Sequence, residues 1–217
     1  MSLVLRSGLS WCICTHQAVF LDLPRDRYFC LSEALDSVFQ RWAAGEPISL
    51  AEQELLVGCG VIEPGGSRCA GPAHYPPAMR DYATDGVSGA SFSDVLAAML
   101  GQLRAQLRLK RLSLASIVSH LTMQQMGASL QSQGEMRQRR IACAFGTSAM
   151  LLRAADRCLP RAIAARQLCH RHGQAAALIF GVRLNPFAAH SWVQSGDAVI
   201  VGDLEQVRLY TPILVVR

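Results

Sequence analysis

Lysine is almost missing from this chain: Lys110 stands alone, and arginine carries nearly all of the basic charge. Aromatic residues make up only 6%. No apolar run approaches the roughly 20 residues that a membrane-crossing helix requires. The first two dozen residues, MSLVLRSGLSWCICTHQAVFLDLP, lack a small-x-small cleavage site and are broken by His16 and Gln17. No signal peptide is therefore expected, and the expected location is cytoplasmic, with reduced thiols. The eight cysteines, at 12, 14, 30, 59, 69, 143, 158 and 169, contain no C-x-x-C pair. That spacing excludes a zinc ribbon. Cys12, Cys14 and His16 alternate along a strand, but that pattern fits a half-buried strand better than a metal site, so no metal is expected. Neither G-x-x-x-x-G-K-[ST] nor G-x-G-x-x-G occurs, so no standard nucleotide-binding loop is visible and no cofactor is expected in this chain. Ser148 and the other serines lack a nucleophile-elbow motif. There is no internal repeat and no low-complexity tract.

What is present divides by charge. Met1 to Pro64 holds 4 Arg against 8 Asp and Glu, a net −4. Gly65 to Arg217 holds 17 basic against 8 acidic residues, a net +9. Half the residues are hydrophobic, enough for a sizeable core. The expected class is α+β with three parts: 1–64, a linker over 65–90, and 91–217. In the first part, Trp11–Thr15, Ala18–Leu23 and Arg27–Leu31 read as short strands, the third following the turn signal Leu23-Pro24-Arg25-Asp26. Ser32 precedes an amphipathic helix that Gly45 ends, and Ser49 with Glu52 forms a capping box for a second helix. Residues 65–90 are rich in Gly, Pro and Ser without a hydrophobic period. Helices follow, starting at Ser91 or Ser93, at Ser113 and near Met136. Another, with Pro160 in its first turn, runs to Gly173. The tail is strands, expected to form an antiparallel sheet: AALIFGV, AHSWVQ, AVIVGD and YTPILVV.

One stretch carries chemistry. In PFAAHSWVQSGDAVIVGD, Pro186 to Asp203, a two-residue loop at Gly196-Asp197 would pair Ser195 with Ala198 and Gln194 with Val199. Continued without interruption, the same register pairs Val193 with Ile200 and sets His190 opposite Asp203, close enough for a carboxylate to orient an imidazole. A one-residue slip would put the two on opposite faces. A nucleophile completes such a site, and Cys158 qualifies. It stands at a helix start, where free N–H groups and the helix dipole favour thiolate and could stabilise an oxyanion, with Arg157 and Arg161 close in sequence. Plainer readings stay open, because a cysteine at a helix start is more often structural and a His–Asp cross-strand pair can be merely polar. Cys169, His170 and His172 in the last turn of that helix fit dipole capping.

The run DRCLPRAIAARQLCHRHGQAAALIFGV followed by PFAAHSWVQSGDAVIVGD resembles the B proteins of lasso-peptide biosynthesis. These are transglutaminase-like, papain-related cysteine proteases that remove the leader from a ribosomally made precursor. The resemblance covers roughly Met136 to Arg217 and implies a Cys158, His190, Asp203 triad. It also implies a precursor-leader partner and an asparagine-synthetase-like, ATP-using lasso cyclase partner, with ATP bound mainly by the cyclase. Some members carry a fused, winged-helix-like leader-recognition domain, to which the leader adds as a strand. On this chain, residue by residue, that implies contacts at Arg27, Tyr28, Phe29, Cys30 and Leu31, and on the facing helix at Leu55 and Leu56. Here a helix between Trp42 and GVIEP is shortened or lost. Residues 91–133 carry no diagnostic motif. Two other classes remain: an amide transferase using the same triad, and a non-catalytic peptide-binding chaperone. A nucleic-acid-binding winged helix is disfavoured by the −4 charge of its own module.

Overall fold

In the computed structural model, residues 3–66, 71–84, 89–126, 134–152 and 158–217 are described. The chain starts with β1 (Leu3–Leu5), β2 (Leu9–Cys14), β3 (Gln17–Asp22) and β4 (Arg27–Cys30). Then come α1 (Glu33–Ala43), α2 (Leu50–Gly58) and β5 (Ile62–Pro64), which pairs with β1. Strands β2, β3 and β4 form an antiparallel sheet in that order, so β4 is an edge. The β2–β3 turn places Thr15 and His16 at positive φ, lifting His16 off the strand that carries Cys12 and Cys14.

Alternation along these strands decides how the small sheet is used. Trp11, Ala18 and Phe20 turn one face toward α1 and α2, where Phe39 and Leu56 close a core of their own. Cys12, Cys14, Val19 and Leu21 turn the other face into the main core shared with the C-terminal half. A β-sheet buried on both faces is held far more firmly than one tethered by a linker. The tip of the β3–β4 hairpin is also pinned. The Asp22 carboxylate, with no exposed side-chain surface, accepts from Arg6 Nη2 at 2.6 Å, Arg25 Nη1 at 3.0 Å and the Arg25 backbone N–H at 3.3 Å. Burial works against the charged form, yet hydrogen bonding to Arg6 and Arg25 wins, and the Asp22 pKa is lowered.

The segment expected as linker behaves otherwise. Tyr75 and Ala78 pack on the larger sheet, and β6 (Arg80–Asp81) joins that sheet as a parallel edge strand. Arg80 Nη2 reaches Asp197 at 2.7 Å and the Met79 N–H donates to the Asp197 carbonyl at 2.8 Å. The sheet is thus mixed rather than wholly antiparallel. Helices α3 (Phe92–Arg111), α4 (Leu114–Met126), α5 (Glu135–Leu152) and α6 (Cys158–Arg171) follow. Ser91 caps α3 with Asp94 in a capping box. After them come β7 (Ala177–Arg183), β8 (Ala188–Ser195), β9 (Ala198–Val201), the single turn α7 (Leu204–Val207) and β10 (Thr211–Val216). The sheet order is β10-β7-β8-β9-β6.

Helix α6 buries Ala162, Ile163, Ala164, Ala165, Leu168 and Cys169, and Arg166 among them, as befits a central helix. It lies between the sheet and helices α3 and α5. Its approach to α3 is close, since a side chain at Gly101 would come within 3.3 Å of Ala164 Cβ. Pro160 sits in its first turn, where an absent N–H has no consequence. This packing fixes where the N-terminus of α6, and with it Cys158, meets the sheet.

Candidate active site

The hairpin loop is at Gly196-Asp197 as the sequence predicts, with Ser195 paired to Ala198 and Gln194 to Val199. There the predicted register ends. Val193 pairs with Val201, not Ile200, because a bulge inserts one residue into β9. Ile200 and Val201 consequently both face the main core, and burying two β-branched side chains in succession is the physical gain of the bulge. The expected His190–Asp203 cross-strand pairing is overturned: carried on, the shifted register would set Asp203 against Ser191. In fact the ladder stops at Val201, since Gly202, at φ +151°, turns the chain away. Asp203 instead caps α7, its Oδ1 accepting the Gln206 N–H at 2.8 Å.

Departure of β9 uncovers β8 at Ser191, and this is where the start of α6 delivers Cys158. Cys158, Arg161, His190, Ser191, Asp203 and Tyr210 all line one cavity of about 420 Å³. Burial pushes the Cys158 thiol up. Hydrogen-bonding contact with the His190 side chain and with Ser191, helped by the charge of the imidazole, more than reverses this and lowers its pKa to about 7. Near neutral pH about half of such thiols are thiolate. The geometry is that of a resting site: His190 Nε2 and Ser191 Oγ are buried without a well-formed hydrogen-bond partner. Catalytic contacts commonly tighten only when substrate is bound. Arg161 turns its Nη2 to the Phe145 carbonyl at 3.1 Å and leaves Nε unpaired; burial lowers its pKa. Arg157 lies outside the described residues.

The imidazole rests on a prepared wall. Its ring lies 6.2 Å from that of Trp192, nearly parallel, and 5.3 Å from that of Tyr210. Trp192 Nε1 donates to Gln194 Oε1 at 3.0 Å, and Gln194 Nε2 donates to the carbonyls of Pro76 and Gly196, each at 2.8 Å. The former linker thus steadies the wall. Gly181 lies directly opposite His190 on β7, and a Cβ there would fall 2.6 Å from the Trp192 ring and 2.9 Å from Tyr210 Cβ. Gly181→Ala is therefore expected to displace the wall. Overpacking of this kind destabilises by roughly 1–3 kcal/mol. The Cys158 titration midpoint should also rise, measured by the pH dependence of alkylation well below the unfolding temperature. An unmoved midpoint would show that the wall does not position His190.

Of the residues singled out in the sequence, the cavity brings together Cys158, Arg161, His190 and Asp203; Ser191, Trp192, Tyr210 and Gly181 were not singled out. The signal for Trp192 was present, since it shares alternation with His190 along β8. Nothing in the sequence pointed to Tyr210.

Of the expected leader contacts, Arg27 and Cys30 are exposed on edge strand β4, and Tyr28 and Phe29 are half-buried. Phe29 stacks on Phe20 at 5.1 Å, with the Arg27 guanidinium 5.3 Å above it. Leu55 on α2 is 57% exposed. Leu56 is fully buried and Leu31 nearly so, both in the N-terminal core. Those two are corrected from surface contacts to core residues: side chains alternate along a strand and rotate by 100° per helical residue, so neighbours of exposed positions face inward.

An acidic thiol beside an imidazole, at the start of a helix laid on a sheet, is the arrangement of cysteine-dependent acyl transfer. Residues 99–215 match the transglutaminase-like superfamily, and the chain belongs to that superfamily. Members of it are typically cysteine peptidases or transferases. Comparison with curated proteins and with solved structures finds no significant match. No described helix is long and apolar enough to cross a membrane.

Proposed function

We propose that this chain is a leader peptidase of the lasso-peptide B type. The lowered pKa of Cys158 beside His190 in an open cavity is the observation that carries this reading. The Cys158 thiolate attacks the scissile carbonyl carbon, and the tetrahedral oxyanion lies at the N-terminus of α6. The C–N bond breaks as His190 gives its proton to the leaving amine. Water, deprotonated by His190, then hydrolyses the thioester and frees the leader carboxylate. Asp203 is proposed to hold the imidazole during these transfers. Both line the same cavity, His190 Nε2 is unpaired, and among the described residues Asp203 Oδ2 accepts no hydrogen bond.

Residues 1–64 are proposed to act as the winged-helix-like recognition domain. β4 is an edge strand to which an extended leader can add, with Leu55 of α2 as an exposed apolar contact. Tethering the leader there raises the effective concentration of the scissile bond at Cys158. The freed core amine would pass to an asparagine-synthetase-like cyclase, which supplies the ATP-dependent step.

Mass spectrometry of a lasso-type precursor peptide incubated with the protein tests the reading. Free leader plus core supports hydrolysis; a cross-linked or amidated product instead assigns the site to amide transfer. Asp203→Asn should lower kcat by up to roughly 10⁴-fold, the loss typical of an orienting triad carboxylate. The melting temperature should hold, because Asn caps helices as well as Asp does. An unchanged kcat would leave Asp203 as a helix cap only.

A further inference from the structure

Cys158 borders a second cavity, of about 190 Å³, with a different chemistry. Leu114, Leu159, Phe180 and Ala189 give it an apolar lining, whereas the first cavity presents Arg161, Asp203 and Gln206. His190 and Ser191 are shared with the first cavity, and the rest of the wall comes from the far end of the chain: Asp26 and Tyr28, at and just after the β3–β4 turn. Tyr28 faces away from the N-terminal core, its ring 5.6 Å from that of Phe187, and packs against the main core. Burial, with Asp26 and Cys158 as further influences, raises the Tyr28 phenol to about 12, so the phenol is uncharged at neutral pH. The Asp22 cluster with Arg6 and Arg25 fixes the base of this turn, so the wall is in place before any peptide arrives.

We propose that this slot binds an apolar side chain on the acyl side of the scissile bond, and that Tyr28 and Asp26 are specificity-determining residues supplied by the N-terminal half. The inference rests on the reading of Cys158 as the nucleophile. The direction follows from β4 itself. A peptide paired antiparallel to β4 leaves it at Arg27, next to Asp26 and the slot; a parallel one leaves at Cys30, the other end of the strand. The leader-side residue is thereby the one delivered to the slot. Asp26, exposed at the mouth, favours a cationic group adjacent to the apolar one.

Alkylation of Cys158 in the full chain reads the slot without requiring turnover. The probes are iodoacetamide, its N-isobutyl derivative and its N-(2-aminoethyl) derivative. Rates are assigned to Cys158 by peptide mass mapping at pH 7 and low salt. The isobutyl probe should react roughly tenfold faster than iodoacetamide, the gain expected for burying a leucine-sized group. Tyr28→Ala should remove most of that preference, and Tyr28→Phe should keep it. Asp26→Asn, at an exposed position that threatens no core, should slow the aminoethyl probe severalfold and leave iodoacetamide unaffected. Equal rates for all three probes, or preferences unchanged in both Tyr28→Ala and Asp26→Asn, overturn the slot while leaving a reactive Cys158 intact. A Cys158 that resists iodoacetamide itself at pH 7 overturns the nucleophile reading first, and the slot with it.

Discussion

Cys158→Ala is expected to abolish release of the leader, by roughly 10⁴-fold or more in kcat, while leader binding is retained. Removing a covalent nucleophile eliminates the acyl-enzyme route altogether, and losses of this order or larger are typical. Among the described residues no other thiol lines the cavity that holds His190, and the only other cysteines not buried in the core are Cys30, Cys59 and Cys143. Ser191 Oγ does line it, but an alcohol there would need a far stronger base than an imidazole alone, so even Cys158→Ser should retain little activity. Binding is a separate property because the proposed leader contacts, β4 and Leu55, belong to the N-terminal half. The check is paired: leader release by mass spectrometry, and leader affinity by fluorescence anisotropy. Wild-type release by Cys158→Ala would sink the peptidase assignment.

His190→Ala has the second large effect, and its sign is fixed by what sets the acidity of Cys158. Burial alone pushes that thiol above its ordinary 9.0, and contact with His190 leads the opposing influences that lower it to about 7. Without the imidazole the midpoint should move back up toward its ordinary 9.0. A shift of two units leaves about 1% thiolate at pH 7, a loss of roughly fiftyfold in reactive species before the missing proton transfer is counted. Iodoacetamide reactivity of Cys158 would then climb between pH 8 and 10, where the wild type has already levelled off. A midpoint that stays near 7 would assign the acidity to Ser191 and the α6 dipole, and His190 would lose its place in the pair. The same logic sets the lower pH limit of activity, since protonation of Cys158 below 7 removes the nucleophile.

Much of this arrangement is legible in local chemistry. Ser49 with Glu52 and Ser91 with Asp94 mark helix starts because a side-chain oxygen meets a free N–H within one turn. The two-residue loop at Gly196-Asp197 follows from a glycine that tolerates positive φ. The start of α6 at Cys158, with Pro160 in the first turn, follows in the same way. Residues 65–90 were less legible: proline and glycine mark the absence of a helix but do not exclude a strand that borrows its partner from 118 positions away, as Arg80 does with Ala198.

The hairpin itself divides what the two levels decide. By itself, the sequence determined the loop, the first two cross-strand pairs, the cysteine at a helix start and the histidine on the strand, because each depends on residues a few positions apart. Only the tertiary structure decided that Ile200 and Val201 both turn inward, that the ladder therefore slips, and that Asp203 leaves the strand to cap α7. It alone decided that Tyr28 stands beside Cys158, some 130 positions later in the chain. Those outcomes depend on which apolar faces find one another across the whole molecule, a sum over distant side chains that no local pattern contains.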